Sequence, residues 1–416
     1  MTTTKNNERK KLNFSSEREQ SQACLNSAEH EKNQGRKVLN VPNLRFPEFQ
    51  GEWEEHLLGN ISDVTKLAGF EFTKYVTYED TGSIIAIRGL NCKNGSLDLR
   101  DVKYIDNSDF SKLSRSKLYV GDILYTYVGT VGEVAVVDKN DKYYLAPNVS
   151  RIRLSKDYNS DFMKQLLGSK KFYYKIVFPL IATSSQPALS MENLRRFKLR
   201  VPSIKEQKKI ASLFKAIDER IATQNKIIDK LQSLIKGIRN DVFGKLRKSV
   251  GFNAMISDVL SYEQPQPYIV KNTEYTAEGT PVLTANKAFV LGYTSETNGI
   301  YDKGDCIIFD DFTLDCKYVD FPYKIKSSAI KILTAKNKEI LRYTFEFLKY
   351  LDLSTDEHKR HYIAETQNQE FVLPTMQIVR TIAHTFSALS LRMESVVKQR
   401  NMFETQKQYL LRQMFI

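Results

Sequence analysis

The sequence has no apolar run long enough to cross a membrane, and its start, MTTTKNNERKKLNF, has no hydrophobic stretch behind the charges. Both absences predict a cytoplasmic protein without a membrane partner. The cysteines Cys24, Cys92, Cys306 and Cys316 form no C-x-x-C pair, and the histidines complete no zinc spacing. We therefore expect reduced thiols and no metal site, although Cys306 and Cys316 could meet across a hairpin.

The sequence also lacks the motifs of several classes of enzyme. It has no N/D-P-P-Y/F motif of adenine methyltransferases, no G-x-x-x-x-G-K-[ST] phosphate loop, no acid–lysine nuclease cluster and no G-x-S-x-G elbow. These absences favour a binding protein over an enzyme. They predict a chain with no catalytic residue and no cofactor of its own.

Positive charge is abundant in this sequence. Lys and Arg number 62 against 49 Asp and Glu, which gives a formal net charge of +13 over 416 residues. Such an excess suits a polyanionic partner, and nucleic acid is the first candidate, with an ordinary solvated basic surface as the alternative. The length allows two or three domains.

Changes in composition divide the chain into five segments. Residues 1–40 are polar and aperiodic and predict a disordered tail. Residues 41–200 alternate short strand-like runs with glycine and Asn/Asp turns, which predicts an α+β globule. A long helix is expected over 201–245, a second globule over 251–372, and a second long helix over 373–416.

The first long helix is predicted by an apolar stripe whose spacing alternates between four and three residues. Only Gln224 is polar among its positions, which are 210, 214, 217, 221, 224, 228, 231, 235, 238 and 242. The helix start is predicted just after Pro202, where Ser203 and Glu206 have the spacing of a capping box.

The same plan recurs later in the chain, which predicts an internal repeat. A shift of 172 residues aligns the two helices without a gap, with Arg400 and Lys407 as polar breaks in the second stripe. Shorter matches occur in the globules, where Ile61-Ser62-Asp63-Val64 recurs as Ile256-Ser257-Asp258-Val259 and Gly121-Asp122 recurs as Gly304-Asp305.

Each apolar stripe must be buried, and the simplest solution is an antiparallel coiled coil of the two helices between two repeated globules. The alternative is that each stripe packs onto its own globule as a core helix. The side chains expected to pair are Ile210, Phe214, Ile217, Ile221, Ile228 and Leu231 in the first helix, and Ile382, Phe386, Leu389, Met393 and Leu410 in the second.

Two motifs resemble a known family. One is the entry motif Val41-Pro42-Asn43-Leu44-Arg45-Phe46-Pro47-Glu48-Phe49, with Gly51-Glu52-Trp53 after it. The other is the helix start at 201–211, which contains Pro202 and the pair Glu206-Gln207. Together they resemble the specificity subunit of type I restriction–modification systems. The second helix start, at 374–379, departs from the pattern because it lacks the Glu-Gln pair.

The resemblance implies that each globule is a target recognition domain that reads one half of a split site in double-stranded DNA. The helices would fix the gap and dock two modification (methyltransferase) subunits, which bind S-adenosylmethionine and methylate adenine. Restriction (motor-nuclease) subunits would complete the complex. Because the two globules differ in sequence, we expect an asymmetric site.

Base edges are read by Arg, Asn, Gln and similar side chains, while cations and amides bind phosphates. Thr284–Lys287 is placed like Arg88–Asn91 by the repeat, and Asp310-Asp311 could accept from cytosine or simply form a turn. For each candidate, ordinary surface charge is the alternative. The candidates are Lys66, Lys74, Arg88, Asn91, Arg115, Lys117, Tyr127, Thr130, Ser185 and Gln186 in the first globule, and Thr284, Asn286, Lys287, Thr313 and Lys317 in the second.

Three other functions remain possible from the sequence. A coiled-coil spacer with two modules that bind protein or glycan would not bind DNA tightly with a steep salt dependence. A fused modification–restriction enzyme would bind S-adenosylmethionine by itself. A non-specific DNA-binding protein would show the salt dependence without a preferred sequence.

Overall fold

The computed structural model describes residues 40–93, 95–182, 186–285, 289–355 and 359–416. Apart from residue 40, the predicted tail lies outside this range. The described chain forms two compact units. Residues up to Ile221 and Met402–Ile416 form the first unit, and Ala222–Asn401 form the second. None of the helices described is long and apolar enough to cross a membrane.

The first unit combines short strands with short helices. Its strands are β1 (Glu54–Leu57), β2 (Ser62–Lys66), β3 (Ile85–Ile87), β4 (Cys92–Lys93), β5 (Ser96–Leu97), β6 (Lys103–Tyr104), β7 (Ile123–Thr126), β8 (Val134–Val136), β9 (Tyr143–Leu145), β10 (Val149–Leu154) and β11 (Lys198–Val201). Its helices are α1 (Leu58–Ile61), α2 (Gly69–Tyr75), α3 (Ser160–Leu167), α4 (Lys170–Phe172), α5 (Met191–Arg195) and the first part of α6 (Ile204–Ser249).

The central sheet of the first unit has the strand order β2-β10-β7-β8 and is antiparallel. A second sheet has the order β6-β3-β9, in which β3 and β9 are parallel. Strands β1 and β11 pair beside the start of α6, and β4 and β5 form a hairpin.

The central sheet is buried on both faces, which explains why β7 reads as a continuous apolar run. Ile123 and Tyr125 belong to the core that contains Trp53, and Leu124 belongs to a second core with β3 and β9. Successive side chains of a strand point to opposite faces, so one strand serves both cores.

The second unit has the same plan. Its elements are β12 (Ala254–Met255), α7 (Ile256–Val259), β13 (Leu260–Glu263), β14 (Thr280–Leu283), β15 (Val290–Thr294), β16 (Cys306–Asp310), β17 (Cys316–Val319), β18 (Lys324–Ile325), β19 (Ile330–Ala335), α8 (Leu341–Leu351), β20 (Glu370–Phe371) and α9 (Met376–Met414). The sheets have the orders β13-β19-β16-β17, β15-β14-β18 and β12-β20, each matching a sheet of the first unit. Strands β14 and β18 are parallel, as β3 and β9 are.

The repeat predicted from the sequence is therefore confirmed, with one correction. Ser62 begins β2, whereas Ser257 lies within α7, so the verbatim four-residue match does not align equivalent positions. The counterpart of Ser62 is Leu260, the first residue of β13, because each pairs with the last residue of an equivalent strand. The match at Gly121 and Gly304 is correct, since both have left-handed backbone and lead into equivalent strands.

Both long helices are present, and each position of the two predicted stripes is buried or half-buried. In the first unit the rings of Phe214 and Phe415 lie 5.7 Å apart, and the Arg220 guanidinium lies 5.7 Å from the Phe403 ring. Because the residue number rises in one segment as it falls in the other, the two segments of this unit run antiparallel, as predicted for the coiled coil. In the second unit the long helices are also in contact, with the Arg239 guanidinium 5.7 Å from the Phe386 ring.

The helix ends also enter the cores of the globules, which is what the alternative interpretation expected. Ile210, Phe214 and Phe415 lie in the core that contains Trp53. Ile382 and Phe386 lie with Phe243 in the main core of the second unit. The compact units therefore cut across the predicted segments, because each unit contains one part of both helices.

Polar residues within the stripes have specific partners. The Lys407 ammonium lies 2.7 Å from Asp218 Oδ1, and Asp218 also accepts a hydrogen bond from Gln165. Arg400 donates to its neighbour Asn401. The Oε1 atom of Gln224 is buried and accepts no hydrogen bond from any described residue.

Glu206 does not take the place predicted for it in a capping box at the start of α6. Both carboxylate oxygens of Glu206 accept hydrogen bonds from the Arg45 guanidinium, at 2.8 and 2.7 Å, instead of capping Ser203. Gln207 donates to the Pro202 carbonyl and accepts from the Asn159 amide. The Glu-Gln pair thus ties the helix start to the entry motif and to the segment before α3.

The second helix start, which lacks the Glu-Gln pair, is held differently. The Asn253 side chain donates to the Leu373 carbonyl and accepts from the Leu373 amide, at 2.9 and 2.8 Å. One asparagine therefore fixes the chain just before α9 by bonding both polar groups of a single residue.

The cysteines Cys92, Cys306 and Cys316 are free and buried. Cys306 faces Val319 across the β16–β17 pair, and Cys316 faces Phe309, so the hairpin does not bring the two thiols together. Cys24 lies outside the described residues.

Candidate nucleic-acid interface

A cleft of about 640 Å³ opens on the first unit. It brings together three segments that the sequence analysis selected separately. Arg88 comes from the segment after β3, Thr130 from the loop after β7, and Gln186 from the chain before α5. These segments are far apart in the sequence, so the fold makes one surface from three separate predictions.

Glycines shape the wall made by the loop after β7. Gly129 and Gly132 have left-handed backbone, at φ values of 78° and 102°. A Cβ on Gly132 would lie 2.7 Å from Tyr173 Cδ2, which is too close for any side chain. The Gly129 amide donates to the Pro187 carbonyl at 2.9 Å and joins this loop to the segment of Gln186.

Arg88 is held at the cleft by Asp101. Its Nη2 donates to the carbonyl oxygen and to Oδ1 of Asp101, at 2.9 and 2.8 Å. Its Nε is buried and has no partner among the described residues. The side chain is about one-fifth exposed, so the guanidinium is positioned by the protein before any ligand arrives.

Asn91 is a structural residue in this conformation, contrary to its selection as a base contact. It is fully buried. Its Oδ1 accepts from the Arg88 amide, and its Nδ2 donates to the carbonyls of Asp98 and Asp101. A bidentate contact with adenine needs the same donor and acceptor, which are already used to close the loop.

The other selected cations of the first unit do not line the cleft. Lys66 lies 5.3 Å from the ring of Tyr127, whose pKa is raised by burial. Arg115 donates to Thr65 Oγ1, and Lys74 is exposed on α2. Lys117 forms an ion pair with Asp141 at 2.6 Å, and this hydrogen bond raises the pKa of the ammonium.

In the second unit, Thr284 occupies the place of Arg88. The Ile87 carbonyl accepts from the amide of Ala146, the first residue after β9, and the Leu283 carbonyl accepts from the amide of Lys326, the first residue after β18. Arg88 and Thr284 each follow the residue that makes this bond. The predicted correspondence of Thr284–Lys287 with Arg88–Asn91 is therefore correct for the first residue of each segment. Asn286 and Lys287 lie outside the described residues, as does Ser185 in the first unit.

Thr313 is exposed in the turn between β16 and β17. Asp310 forms that turn, because its Oδ1 accepts from the amides of Phe312 and Thr313. Asp311 is buried, and its Oδ1 accepts from the amides of His361 and Tyr362, which lie about fifty residues further along the chain. The turn-forming interpretation is therefore supported for Asp310, whereas the Asp311 side chain joins the turn to a distant segment. Lys317 is paired with Asp315 at 3.3 Å.

Sequence reasoning missed Arg360, which is half-exposed beside Phe312. The shift of 172 residues that aligns the helices also aligns Arg360 with Ala188, next to the selected Gln186. Extending the repeat about sixteen residues ahead of the helices would have found it. Over the residues described, no group of three or more His, Cys, Asp or Glu side chains is placed to hold a metal ion.

Part of the chain is similar to a known protein family. Residues 50–233 match the model of the type I restriction modification DNA specificity domain. The resemblance of this chain to type I restriction–modification specificity subunits, drawn above from its two motifs, is thereby confirmed.

Two curated relatives carry the same description. The chain is 44% identical over 126 residues to the type I restriction enzyme EcoR124I/EcoR124II specificity subunit of Escherichia coli. This match covers 29% of this chain and 31% of the relative. It is 23% identical over 225 residues to the putative type I restriction enzyme MjaX specificity subunit of Methanocaldococcus jannaschii, covering 50% and 49%. The matched stretches thus span from about a third to half of these relatives' lengths.

A solved structure supports the fold. The S subunit of a type I restriction–modification system from M. genitalium superposes with a TM-score of 0.62 and covers 90% of this chain and 99% of that one. The sequence identity is 16%, so the similarity concerns the arrangement of the elements.

Proposed function

We propose that this chain is the sequence-specific DNA-recognition subunit of a type I restriction–modification complex. The observation that carries the proposal is the cleft of the first unit, where Arg88, Thr130 and Gln186 meet. An arginine can grip guanine through N7 and O6, a glutamine can bind adenine, and a threonine can contact either. The net charge of +13 adds the attraction to phosphates that such reading requires.

The second unit reads a different half-site. It repeats the sheets of the first unit, but Thr284 stands where Arg88 stands, and a tight aspartate turn replaces the glycine loop. Since the shared scaffold presents different side chains, the two half-sites differ and the complete site is asymmetric. The antiparallel segments of α6 and α9 fix the gap between the half-sites.

The chemistry belongs to other subunits. In this proposal the chain docks two methyltransferase subunits, which bind S-adenosylmethionine and methylate adenine, and restriction subunits join them to cut DNA. The chain supplies recognition alone and binds no cofactor. The complex works in the cytoplasm, where the host DNA lies.

The proposal is tested by expressing the chain with its methyltransferase subunit and sequencing the host DNA for methylated adenine at single-molecule resolution. We expect a split motif with one methylated adenine on each strand, which disappears when this chain is omitted. Arg88→Ala should then relax one position of one half-site and leave the other half-site intact.

Two results would contradict the proposal. A well-formed complex that binds S-adenosylmethionine but methylates no motif would refute the proposal and favour a spacer protein whose modules bind protein or glycan. Methylation without any sequence preference would indicate a non-specific DNA-binding subunit.

A further inference from the structure

The second unit contains a counterpart of the cleft wall in the first unit. In the first unit the Leu189 amide donates to the Tyr127 carbonyl at 2.8 Å. In the second unit the His361 amide donates to the Asp311 carbonyl at 3.1 Å. Because Tyr127 and Asp311 each follow equivalent strands, β7 and β16, these two bonds occupy the same place in the fold.

This equivalence assigns positions to the neighbouring residues. Phe312 follows Asp311 and takes the place of Val128, which lines the cleft of the first unit. Arg360 precedes His361 and takes the place of Ala188, which forms a β-bridge with Val128. The same neighbourhood is kept in the second unit, where the Arg360 guanidinium lies 5.8 Å from the ring centre of Phe312.

The two units therefore carry these arginines on different segments of the shared scaffold. In the first unit Arg88 follows β3, and Ala188 forms the bridge with Val128. In the second unit Thr284 follows β14, and Arg360 lies beside Phe312, the counterpart of Val128.

Arg360 is available to a ligand. Its side chain is 49% exposed, and its nearest carboxylate atom, Asp311 Oδ2, is 3.9 Å from Nη1, beyond hydrogen-bonding distance. The amides of His361 and Tyr362 donate to the other oxygen of this carboxylate, Oδ1, and the Lys331 ammonium lies 3.6 Å from Oδ2, closer than Arg360. Over the described part of the chain, no hydrogen bond uses the Arg360 donors.

We propose that Arg360 determines specificity in the second unit by binding the N7 and O6 atoms of one guanine in the major groove. This inference rests on the proposed function and names a residue that performs it. Phe312 limits the freedom of the guanidinium by packing against it, as Asp101 limits Arg88. A planar fork of donors held in this way matches the two acceptors on the guanine edge.

The test uses the complete complex with its methyltransferase subunits and a set of duplexes in which each base pair of the second half-site is changed in turn. The wild-type complex should reject a change at one G·C pair by roughly ten- to a hundredfold in competition binding. Arg360→Ala should lose this rejection at that pair alone. Arg360→Lys should keep the charge but lose most of the discrimination, because an ammonium cannot form the bidentate contact.

Lys359→Ala is the matched control, since Lys359 adjoins Arg360, is 52% exposed and pairs with Glu365. It should leave the preference at every position unchanged. If Arg360→Ala weakens binding to all duplexes equally, Arg360 contacts a phosphate, and its assignment to a guanine is wrong. If wild type discriminates and Arg360→Ala matches it, only the role of Arg360 is wrong. If wild type discriminates nowhere, the proposed function itself fails.

Discussion

Phe415 lies near one end of α9 and yet belongs to the core of the first unit. It is 2% exposed, and its ring lies 5.3 Å from Phe162, 5.7 Å from Phe214 and 6.3 Å from Trp53. Phe415→Ala leaves a cavity among these rings. Such truncations cost about 3–5 kcal/mol, which corresponds to a loss of roughly 6–20 °C in the melting temperature of a unit of this size.

A chain of two units need not unfold in one step, so the effect should be measured locally. Hydrogen exchange followed by mass spectrometry separates peptides of the first unit, such as those of β2 and β10, from peptides of β16 and β19. Phe415→Ala should speed exchange in the first set and leave the second set unchanged. Tyr409→Ala is the control, because Tyr409 lies in α9 six residues before Phe415 and is 53% exposed.

The reasoning would be refuted if Phe415→Ala behaved like Tyr409→Ala, or if exchange rose equally in both units. The first result would mean that the core closes without Phe415. The second would mean that the two units lose their structure together rather than separately.

Three further predictions follow from the contacts described above. Arg45→Met should lower the free energy of unfolding by denaturant by about 3–5 kcal/mol, because it leaves the buried Glu206 carboxylate without its partner. Adding Glu206→Gln should recover part of this loss, and an unchanged midpoint for Arg45→Met would contradict the prediction. Burial raises the pKa of the thiols of Cys92, Cys306 and Cys316 from 9.0 to about 12. In a Cys24→Ser background these thiols should resist alkylation at pH 8, and the free energy of unfolding should fall as the pH rises from 9 towards 12. Rapid labelling of the folded chain would contradict this prediction. Inserting one helical turn into α6 should lengthen the gap of the methylated motif and keep both half-sites, whereas altered half-sites would show that the helix is not a passive spacer.

The thiol prediction depends on the direction of the pKa shifts. A thiol whose pKa is raised by folding stays neutral in the folded chain while it ionises in the unfolded chain. The stabilisation is therefore complete below pH 9 and is lost as the pH rises, on the order of 1 kcal/mol per pH unit for each thiol.

The long helices and the repeat were predictable because their signals extend over many residues. The alternating spacing of four and three residues is sustained over ten positions in each helix. The four-residue match at Ile61 failed because it is too short to distinguish a helix from a strand. In the fold, one copy enters β2 while the other remains in α7, since sheet pairing overrides local similarity.

The site was only partly predictable, for a different reason. Arg88 and Gln186 have recognisable side chains in recognisable loops, but their meeting in one cleft depends on contacts across the fold. Asn91 has the right chemistry for DNA and uses it to close its own loop, which no spacing reveals. Arg360 was missed because its position is set by the bond between His361 and Asp311, far apart in the sequence.

The place of Phe415 also has a consequence for how a cell makes this protein. The residue that completes the core around Trp53 and Phe162 is translated after every residue of Ala222–Asn401. The core of the first unit therefore cannot be completed during synthesis until Phe415 has left the ribosome. A chain truncated ahead of Phe415 lacks this ring, and proteases should cut its first unit faster than that of the full chain.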